Sequence, residues 1–290
     1  MSRAAARDWT YYLFTLPALL LSAGVVLVPA LLTLILAFTD WDGVSRPLWL
    51  GFDNFRELLN DFTFWRALFN NVKWTVVFLT IPMAIALVVA SLLLTRRRSQ
   101  RVYQIIFLLP YVLSPIANAS IWSNMLLNQR SGVLGYLGRL GLPVHDPLGH
   151  VSTALYTVAA VDIWHFWGYL AIVFLAAMRQ VPTDQLEAAY LEGATGWQIF
   201  RHVTLPNIAP TIALMFVMVT IFSFLTFDYV YLMTGGGPAH GTELLSTLAY
   251  GFAFRTFEVG KAAAVALFMS LFGLIAACAY VGMSRESLRR

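Results

Sequence analysis

Six stretches of this 290-residue chain are long and apolar enough to cross a lipid bilayer. A membrane-spanning helix needs roughly 20 apolar residues, because about 30 Å of hydrocarbon is crossed at about 1.5 Å per residue. Four of the stretches carry no charge, and the other two carry one acid each, Asp162 and Asp228. They place the predicted spans near residues 11–38, 72–94, 103–128, 154–178, 208–234 and 262–283.

Composition excludes most classes of soluble protein. Hydrophobic residues make up 59% of the chain and charged residues 12%, whereas an average soluble domain has roughly 45–50% and about 25%. So little charge argues against a soluble enzyme, a nucleic-acid-binding domain and a disordered chain. The single cysteine, Cys278, excludes an intrachain disulfide. The chain is therefore predicted to be an all-α integral membrane protein with six transmembrane helices.

The distribution of Lys and Arg predicts that both termini lie in the cytoplasm. With the N-terminus inside, the inner segments hold eleven basic and five acidic residues, whereas the outer segments hold eight of each. The short loop 96–101 carries four arginines, and short loops contribute most to orientation. The first span is about twice as long as the apolar region of a signal peptide, roughly 7–15 residues, so we expect it to remain as an uncleaved anchor.

The segment between the fourth and fifth spans, residues 183–206, has a helical pattern where a plain connector would suffice. Pro182 ends the fourth span, and Thr183 or Asp184 can cap a new helix. One apolar face of that helix has helical spacing. Its members are Leu186, Ala189, Tyr190 and Gly193.

A second short helix is predicted directly after the first. Gly193 and Gly196 flank a bend, and Thr195 with Gln198 three residues later fits a capping box. Pro206 is expected to end this helix. Two short helices joined by small residues would form a compact cytoplasmic knob that another protein can approach closely.

The same segment carries a resemblance to a known family. Glu-Ala-Ala, three residues, Gly, nine residues, Val, one residue and Leu-Pro resembles the EAA signature of bacterial ABC importer permeases, with Val203 in place of the usual Ile. The matching residues are Glu187, Ala188, Ala189, Gly193, Leu205 and Pro206. The resemblance implies the type I ABC importer permease fold, in which this segment is the cytoplasmic coupling helix between helices 4 and 5. It implies that Glu187, Ala188, Ala189, Gly193 and Ala194 contact an ATPase subunit, and that Leu205 and Pro206 lead into the fifth span.

Two further segments resemble the carbohydrate permeases of that family, the group that includes the maltose and glycerol-phosphate systems. One is the Thr-Gly-Gly-Gly-Pro turn at 234–238, and the other is Trp-Leu-Gly-Phe-Asp-Asn-Phe at 49–55. Physically the first is a helix stop, because glycine permits positive φ and proline cannot continue a helix. The resemblance implies that the chain forms half of the channel for a sugar or oligosaccharide in the bacterial inner membrane.

The expected organisation follows from these assignments. Residues 1–10 form a cytoplasmic tail, residues 11–284 form one permease domain with the coupling segment at 183–206, and residues 285–290 form a second cytoplasmic tail. The implied partners are a second permease subunit that makes a heterodimer, two ATP-binding subunits or a homodimeric ATPase, an extracytoplasmic sugar-binding protein and membrane lipid. No nucleic-acid partner is expected.

The chain itself is not expected to be an enzyme. No phosphate-binding glycine-rich motif ending in Lys-Ser or Lys-Thr occurs in the sequence. ATP and Mg²⁺ are therefore expected to be used by a partner ATPase, and this chain is expected to bind no cofactor and no metal. No catalytic residue is assigned, and the five histidines are scattered over different loops and spans.

Substrate-path candidates are polar or aromatic residues inside the spans. Acids within a bilayer cost roughly 2.5–3.5 kcal/mol on insertion scales, so Asp162 and Asp228 are functional hypotheses. Aromatic rings with an acid or amide acceptor suit the mixed apolar and hydroxyl surface of a sugar, although helix packing and the interfacial aromatic belt are the commoner explanation of such rings. The candidates are Asn118, Trp122, Asp162, Trp164, Phe227, Asp228, Tyr229 and Tyr231.

Another class of transporter would use the same acids. A proton-coupled secondary carrier could employ Asp162 and Asp228 as a relay and would need no ATPase. It does not explain the knob at 183–206, and six spans are few for a single-chain carrier. A membrane-embedded enzyme would need a nucleophile–base pair or a metal motif, and the sequence offers neither.

Overall fold

The computed structural model of the chain describes residues 14–95 and 99–287. Several predictions concern residues outside these ranges: the first residues of the first span, the N-terminal tail 1–10, Arg96, Arg97 and Arg98 of the short loop, and the last residues of the tail 285–290. The regular secondary structure of the described residues is helical apart from one short antiparallel ribbon, in which Thr39 pairs with Trp49 and Asp40 with Leu48.

The elements follow one another in this order. They are α1 (Phe14–Leu36, with a π-helical turn at Ala23–Leu27), β1 (Thr39–Asp40), β2 (Leu48–Trp49), α2 (Asp53–Asn60), α3 (Phe62–Thr95), α4 (Gln100–Val112), α5 (Pro115–Ser120, continued by a π-helical turn at Ile121–Leu126), α6 (Val133–Arg139), α7 (Ala154–Met178), α8 (Thr183–Leu191), α9 (Gly196–Ile199, continued by a π-helical turn at Phe200–Thr204), α10 (Leu205–Leu225), α11 (Asp228–Met233), α12 (Leu245–Phe254) and α13 (Val259–Ser287).

Five helices are long and apolar enough to cross a membrane, and there are six spans if one strongly bent pair counts as a single span. The bent pair is α4 with the helix Pro115–Leu126, which meet at 84°. The others are Phe14–Leu36, Phe62–Thr95, Ala154–Met178, Gly196–Met233 and Val259–Gly282. The described chain therefore has the character of a multi-pass membrane protein.

The chain divides into two compact units. Among the described residues, the first unit comprises 14–61 together with Ala249–Phe268. Within it, the buried amide of Asn54 donates to the backbone carbonyls of Ala37 and Thr39 at 3.0 and 2.9 Å. Gly260 packs so closely on the Thr39 carbonyl that a Cβ there would overlap it. These contacts fix the turn after α1 against α2 and the start of α13.

Among the described residues, the second unit comprises 62–95, 99–248 and 269–287. Its core is built around α7, which packs on α3, α4 and α10. Trp74, Phe174 and Leu170 are among the largest side chains buried there. Close approach of α7 to α4 depends on Gly168, because a Cβ at this position would overlap the backbone carbonyl of Phe107. A glycine here is therefore dictated by helix packing.

Two predicted spans are interrupted. The third, predicted as residues 103–128, turns sharply at Leu113 and Ser114, which are both extended. Pro115 explains the break, since proline disfavours helical geometry in the preceding residue, and the Ser114 hydroxyl caps the new helix by accepting from the Ala117 amide at 3.2 Å. The fifth, predicted as residues 208–234, is broken at Thr226 and Phe227, between α10 and α11.

Pro206 does not end the second short helix, so that expectation was wrong. The helix that begins at Gly196 passes through the π-helical turn Phe200–Thr204 into α10, and Pro206 lies in the first turn of α10. Proline has no N–H to donate to the hydrogen bonds of the helix. The π-helical turn lies directly before this proline and shifts the hydrogen-bonding register of the helix there. The second short helix and the fifth span are thus one continuous helical segment.

Candidate functional site

The two helix breaks border the same cavity, of about 310 Å³, within the second unit. We call it the acidic cavity, because two carboxylates line it. A volume near 300 Å³ is at the lower end of the range for small-molecule sites. Its lining residues are Phe78, Tyr111, Pro115, Asp162, His165, Phe166, Val219, Phe222, Ser223, Leu225, Thr226, Phe227, Asp228 and Tyr229.

A histidine from α7 compensates for the first break. The Nε2 atom of His165 lies 3.0 Å from the backbone carbonyl oxygen of Leu113, which the break removes from the helical ladder. A carbonyl can only accept, so Nε2 carries the proton and, in a neutral ring, Nδ1 is left as an acceptor. In a membrane such a carbonyl must find a donor inside the protein. His165 is thus a structural residue on the wall of the cavity.

Side chains from outside α10 compensate for the second break. The Ser246 hydroxyl donates to the Thr226 carbonyl in a short hydrogen bond. One turn earlier, the buried amide of Asn71 donates to the Ser223 carbonyl at 3.0 Å. Asn71 also accepts from the Leu245 amide at 2.8 Å, so one buried side chain joins α3, α10 and α12. Side-chain hydrogen bonds from other helices therefore stabilise both breaks.

The carboxylates of Asp162 and Asp228 have no hydrogen-bond donor among the residues that the structure describes. Asp162 lies within α7, and Asp228 opens the first turn of α11 at the second break. Unpaired carboxylates facing a cavity can accept hydrogen bonds from hydroxyl groups of a ligand. The rings around them offer apolar faces, so the arrangement fits a ligand that carries both C–H surface and hydroxyls.

Four of the predicted substrate-path residues lie in this cavity: Asp162, Phe227, Asp228 and Tyr229. The remaining four do not line it. Asn118 lies behind the wall and donates its amide to the Tyr229 hydroxyl at 2.9 Å. Tyr231 stacks on Phe227 with ring centroids 4.8 Å apart. Trp122 and Trp164 meet each other edge to face at 5.6 Å.

Sequence reasoning left several wall residues out of the candidate set. Phe78 comes from α3, Phe222 and Ser223 come from α10, and Tyr111 precedes the first break. Tyr111 stacks on Tyr169 at 4.8 Å. The proline that breaks the third span was the available signal for Tyr111, since residues at a break in a membrane helix tend to line a cavity. No local pattern distinguishes Phe78 or Phe222 from ordinary packing residues.

The segment 183–206 forms the two short helices expected from sequence, α8 and α9. The first begins one residue after Pro182. Both halves of the capping box are present: the Gln198 side chain accepts from the Thr195 amide at 2.7 Å, and the Thr195 hydroxyl accepts from the Gln198 amide at 3.4 Å. Gly193 has a φ of +77°, which allows the bend between the helices.

The surface of this segment is open and partly apolar. Tyr190, Leu191 and Trp197 are 66%, 89% and 66% exposed. A Cβ on Gly193 would meet no atom within 4 Å. A hollow of about 340 Å³ lies here, lined by Ala189, Glu192, Gly193, Ala194, Gln198, Ile199, His202 and Val203. Glu187, Ala188 and Pro206 are exposed, whereas Leu205 is half-buried. The exposed aromatic and aliphatic groups mark this segment as a candidate docking surface.

The glycine-rich turn at 234–238 stops α11 as expected. Gly235 and Gly236 have φ values of +59° and +89°, which L-residues rarely adopt. Asn70, buried in α3, donates its amide to the carbonyls of Gly241 and Glu243 at 3.1 and 3.0 Å and so holds the chain that follows the turn. Adjacent amides at the start of an apolar span, Asn70 and Asn71, were a sequence signal that the candidate set omitted.

The chain is similar to known proteins over most of its length. The family described as "binding-protein-dependent transport system inner membrane component" matches residues 83–286. A probable ABC transporter permease protein of Pyrococcus horikoshii is 30% identical over 286 residues, which is 96% of each chain. A probable starch degradation products transport system permease protein of Thermoanaerobacterium thermosulfurigenes is 29% identical over 280 residues, covering 95% of this chain and 94% of its own.

The fold is also similar to that of a solved structure. A chain from the crystal structure of a bacterial ABC transporter involved in the import of the acidic polysaccharide alginate superposes with a TM-score of 0.85. The match covers 98% of both chains at 25% sequence identity. The likeness thus extends over nearly the whole chain.

Proposed function

Because this chain belongs to the family of binding-protein-dependent transport system inner membrane components, we propose that it forms half of the translocation pathway of an ATP-driven carbohydrate importer. Membership makes it a permease subunit of an ABC importer, a transport component. Beyond this, we propose that the substrate is a carbohydrate, that the chain is coupled to an ATPase, and that the complex has the composition given below.

The acidic cavity is the observation that carries the carbohydrate assignment. Rings of Phe78, Phe227 and Tyr229 offer apolar faces, and Asp162 and Asp228 offer unpaired acceptors for hydroxyl groups. The names of two similar transporters point the same way, one for starch degradation products and one for alginate. Placement at two helix breaks fits a transport site, since interrupted helices in membranes are tolerated where they line a cavity.

Coupling to a separate ATPase is proposed for the segment 183–206. Glu187, Ala188, Ala189, Gly193 and Ala194 would contact the ATPase, and Leu205 and Pro206 would pass its movement into the fifth span. Support comes from the exposed apolar side chains around Gly193 and from the continuous helix from Gly196 into α10. The Asn207 amide also donates to the Gln185 side chain at 2.8 Å, so α8 is tied to the base of α10. A push on α8 would therefore reach a helix that borders the acidic cavity.

The proposed topology has six transmembrane helices with both termini and the segment 183–206 in the cytoplasm. Residues 11–284 would form one permease domain between cytoplasmic tails at 1–10 and 285–290. The location would be the bacterial inner membrane. The Lys and Arg distribution supports this orientation, and counting the bent pair as one span gives the six helices.

The proposed complex contains a second permease subunit, two ATP-binding subunits or a homodimeric ATPase, and an extracytoplasmic sugar-binding protein. The family description, binding-protein-dependent transport, supports the last of these. ATP and Mg²⁺ would be bound and used by the ATPase, with no cofactor and no metal held by this chain. Catalysis would then lie wholly in the partner.

The alternative mechanism is a proton-coupled carrier with Asp162 and Asp228 as the relay. One observation favours this alternative: both acids line the same cavity. A relay would need no ATPase and would leave the exposed surface at 183–206 without a role.

The deciding experiment purifies the tagged chain from its native host in mild detergent, identifies what accompanies it by mass spectrometry, and reconstitutes it in vesicles. We expect an ATP-binding subunit and a second permease to co-purify, and uptake to require ATP and a sugar-binding protein. Uptake by the chain alone, driven by a pH gradient without ATP, would replace this proposal with the proton-coupled carrier. The variants Asp162→Asn and Asp228→Asn would then abolish proton coupling.

A further inference from the structure

The acidic cavity is lined by two carboxylates and by no permanently charged cation. Asp162 and Asp228 line it, and its lining includes no Lys or Arg. The sequence around the cavity also lacks Lys and Arg. Neither residue occurs in the runs that supply every wall residue, which are 74–95, 102–129, 147–178 and 202–254. His165 is the one basic ring in the wall, and its Nε2–H is already given to the Leu113 carbonyl.

This charge pattern is the opposite of what an acidic ligand needs. A sugar carboxylate is bound best by Arg, whose planar group donates two parallel hydrogen bonds, or by Lys. A third negative charge placed near these two carboxylates would be repelled by both of them. Uncharged hydroxyl groups are not repelled by the carboxylates, and each hydroxyl can donate a hydrogen bond to a carboxylate oxygen.

We propose that the transported carbohydrate carries no acidic group, and that Asp162 and Asp228 set this specificity. The inference rests on the proposed function and restricts the substrate to carbohydrates without acidic groups. It separates this chain from the similar transporter that is involved in the import of alginate, an acidic polysaccharide, although the two folds match over 98% of their length. A similar fold with an acidic cavity would thus serve a neutral or amino sugar.

The first test measures which sugars the intact transporter takes up. Wild-type cells and cells lacking this chain are given one mixture of neutral, amino and uronic acid oligosaccharides, and the medium is followed by mass spectrometry. We expect the wild type alone to deplete a neutral or amino oligosaccharide. Depletion of a uronic acid oligosaccharide by the wild type alone would overturn the inference and leave the proposed function standing. If no sugar in a broad mixture depends on the chain, the proposed function and the inference fall together.

The second test assigns the specificity to residues. In the reconstituted complex, Asp162→Asn and Asp228→Asn should each raise the KM for the depleted sugar by about tenfold, because a charge-assisted hydrogen bond becomes a weaker one. The matched control is Asp53→Asn, which should leave KM unchanged because this exposed carboxylate pairs with the exposed Arg56. Unchanged KM in both cavity variants, with normal assembly of the complex, would remove these two acids from the specificity.

Discussion

Asn118 of α5 donates its side-chain amide to the hydroxyl of Tyr229 in α11 at 2.9 Å, although the two residues are 111 positions apart. Asn118 is 1% exposed and Tyr229 4% exposed. The amide oxygen of Asn118 is buried without a partner. Among the described residues, the bond to Tyr229 is therefore the one hydrogen bond that offsets the cost of burying this side chain. It joins the two short helices that follow the two breaks, α5 and α11.

Removing one partner of this bond should therefore destabilise the protein. Tyr229→Phe keeps the ring and leaves the Asn118 amide unpaired, which should lower the free energy of unfolding by about 1–3 kcal/mol. Denaturant titration of the purified chain measures it. Replacing both partners, as Asn118→Leu with Tyr229→Phe, should cost less than the sum of the single changes, since no buried donor is then left unpaired. Strictly additive losses would mean that the hydrogen bond contributes nothing.

His165→Ala should destabilise the break in the third span. The Leu113 carbonyl, now bonded to His165 at 3.0 Å, would be left without its donor, at a cost of about 1–3 kcal/mol beyond the loss of ring packing. His165→Gln can supply an amide donor and should recover part of the loss. The control is His145→Ala, because His145 lies exposed in a loop. Thermal unfolding in detergent compares the three variants, and equal behaviour of His165→Ala and His145→Ala would contradict the assigned role.

Gly168→Ala should disrupt the packing of α7 on α4. A methyl group there would overlap the Phe107 carbonyl, and a backbone atom cannot move aside as a flexible side chain can. We expect a loss of about 2 kcal/mol or more, in line with overpacked cores, seen as a lower unfolding temperature. Gly282→Ala is the matched control, since a Cβ on this helical glycine meets no atom within 4 Å. A stable Gly168→Ala protein would show that the two helices can separate freely.

Gly193→Ala should uncouple transport from ATP hydrolysis while the chain still folds. The substitution is strained by the φ of +77°, at a cost of about 1 kcal/mol, but it has open space around it in this chain. We expect near-normal amounts in the membrane and a loss of ATP-driven uptake of more than tenfold, since even a small added group would disturb the close-packed ATPase interface that we propose for this segment.

Gly141→Ala is the control that separates strain from docking. Its φ is +84° and its Cβ would also meet no atom within 4 Å, but it lies after α6 and away from the segment 183–206. Both variants should lose similar stability, and Gly141→Ala should keep its uptake. If uptake falls equally in both, backbone strain alone accounts for the Gly193 effect and the docking role is refuted.

Acid should weaken the first unit through Glu258. Burial opposes ionisation of this carboxyl, but hydrogen bonds from Lys261 at 2.5 Å and Thr256 at 2.8 Å outweigh it and hold the pKa of Glu258 below its usual value of 4.5. A lowered folded-state pKa adds stability above the unfolded pKa, and this stability is lost as the pH falls through the folded one. Glu258→Gln should therefore flatten the decline in unfolding temperature between about pH 5 and pH 3. An unchanged acid profile would show that the ion pair does not stabilise this region.

Local sequence determined the helical spans and the segment 183–206. Each span follows from the cost of burying unpaired backbone groups in lipid, which a continuous apolar helix avoids within its own length. The capping box of Thr195 and Gln198 and the bend at Gly193 are equally local, since they depend on neighbours three to five residues apart. Pro115 likewise marked the first break, whereas the passage of the helix through Pro206 depended on a π-helical turn that no pattern announces.

Only the tertiary structure decided which polar and aromatic residues share a cavity. Apolar side chains that face lipid and those that face another helix have the same composition, so hydropathy could not separate Tyr229, in the cavity wall, from Trp122, outside it. The break at Thr226 has no proline or glycine to announce it, and Ser246 and Asn71 supply its hydrogen bonds from distant helices. Such compensation exists only after the helices have packed, because its donors and acceptors are far apart in the chain.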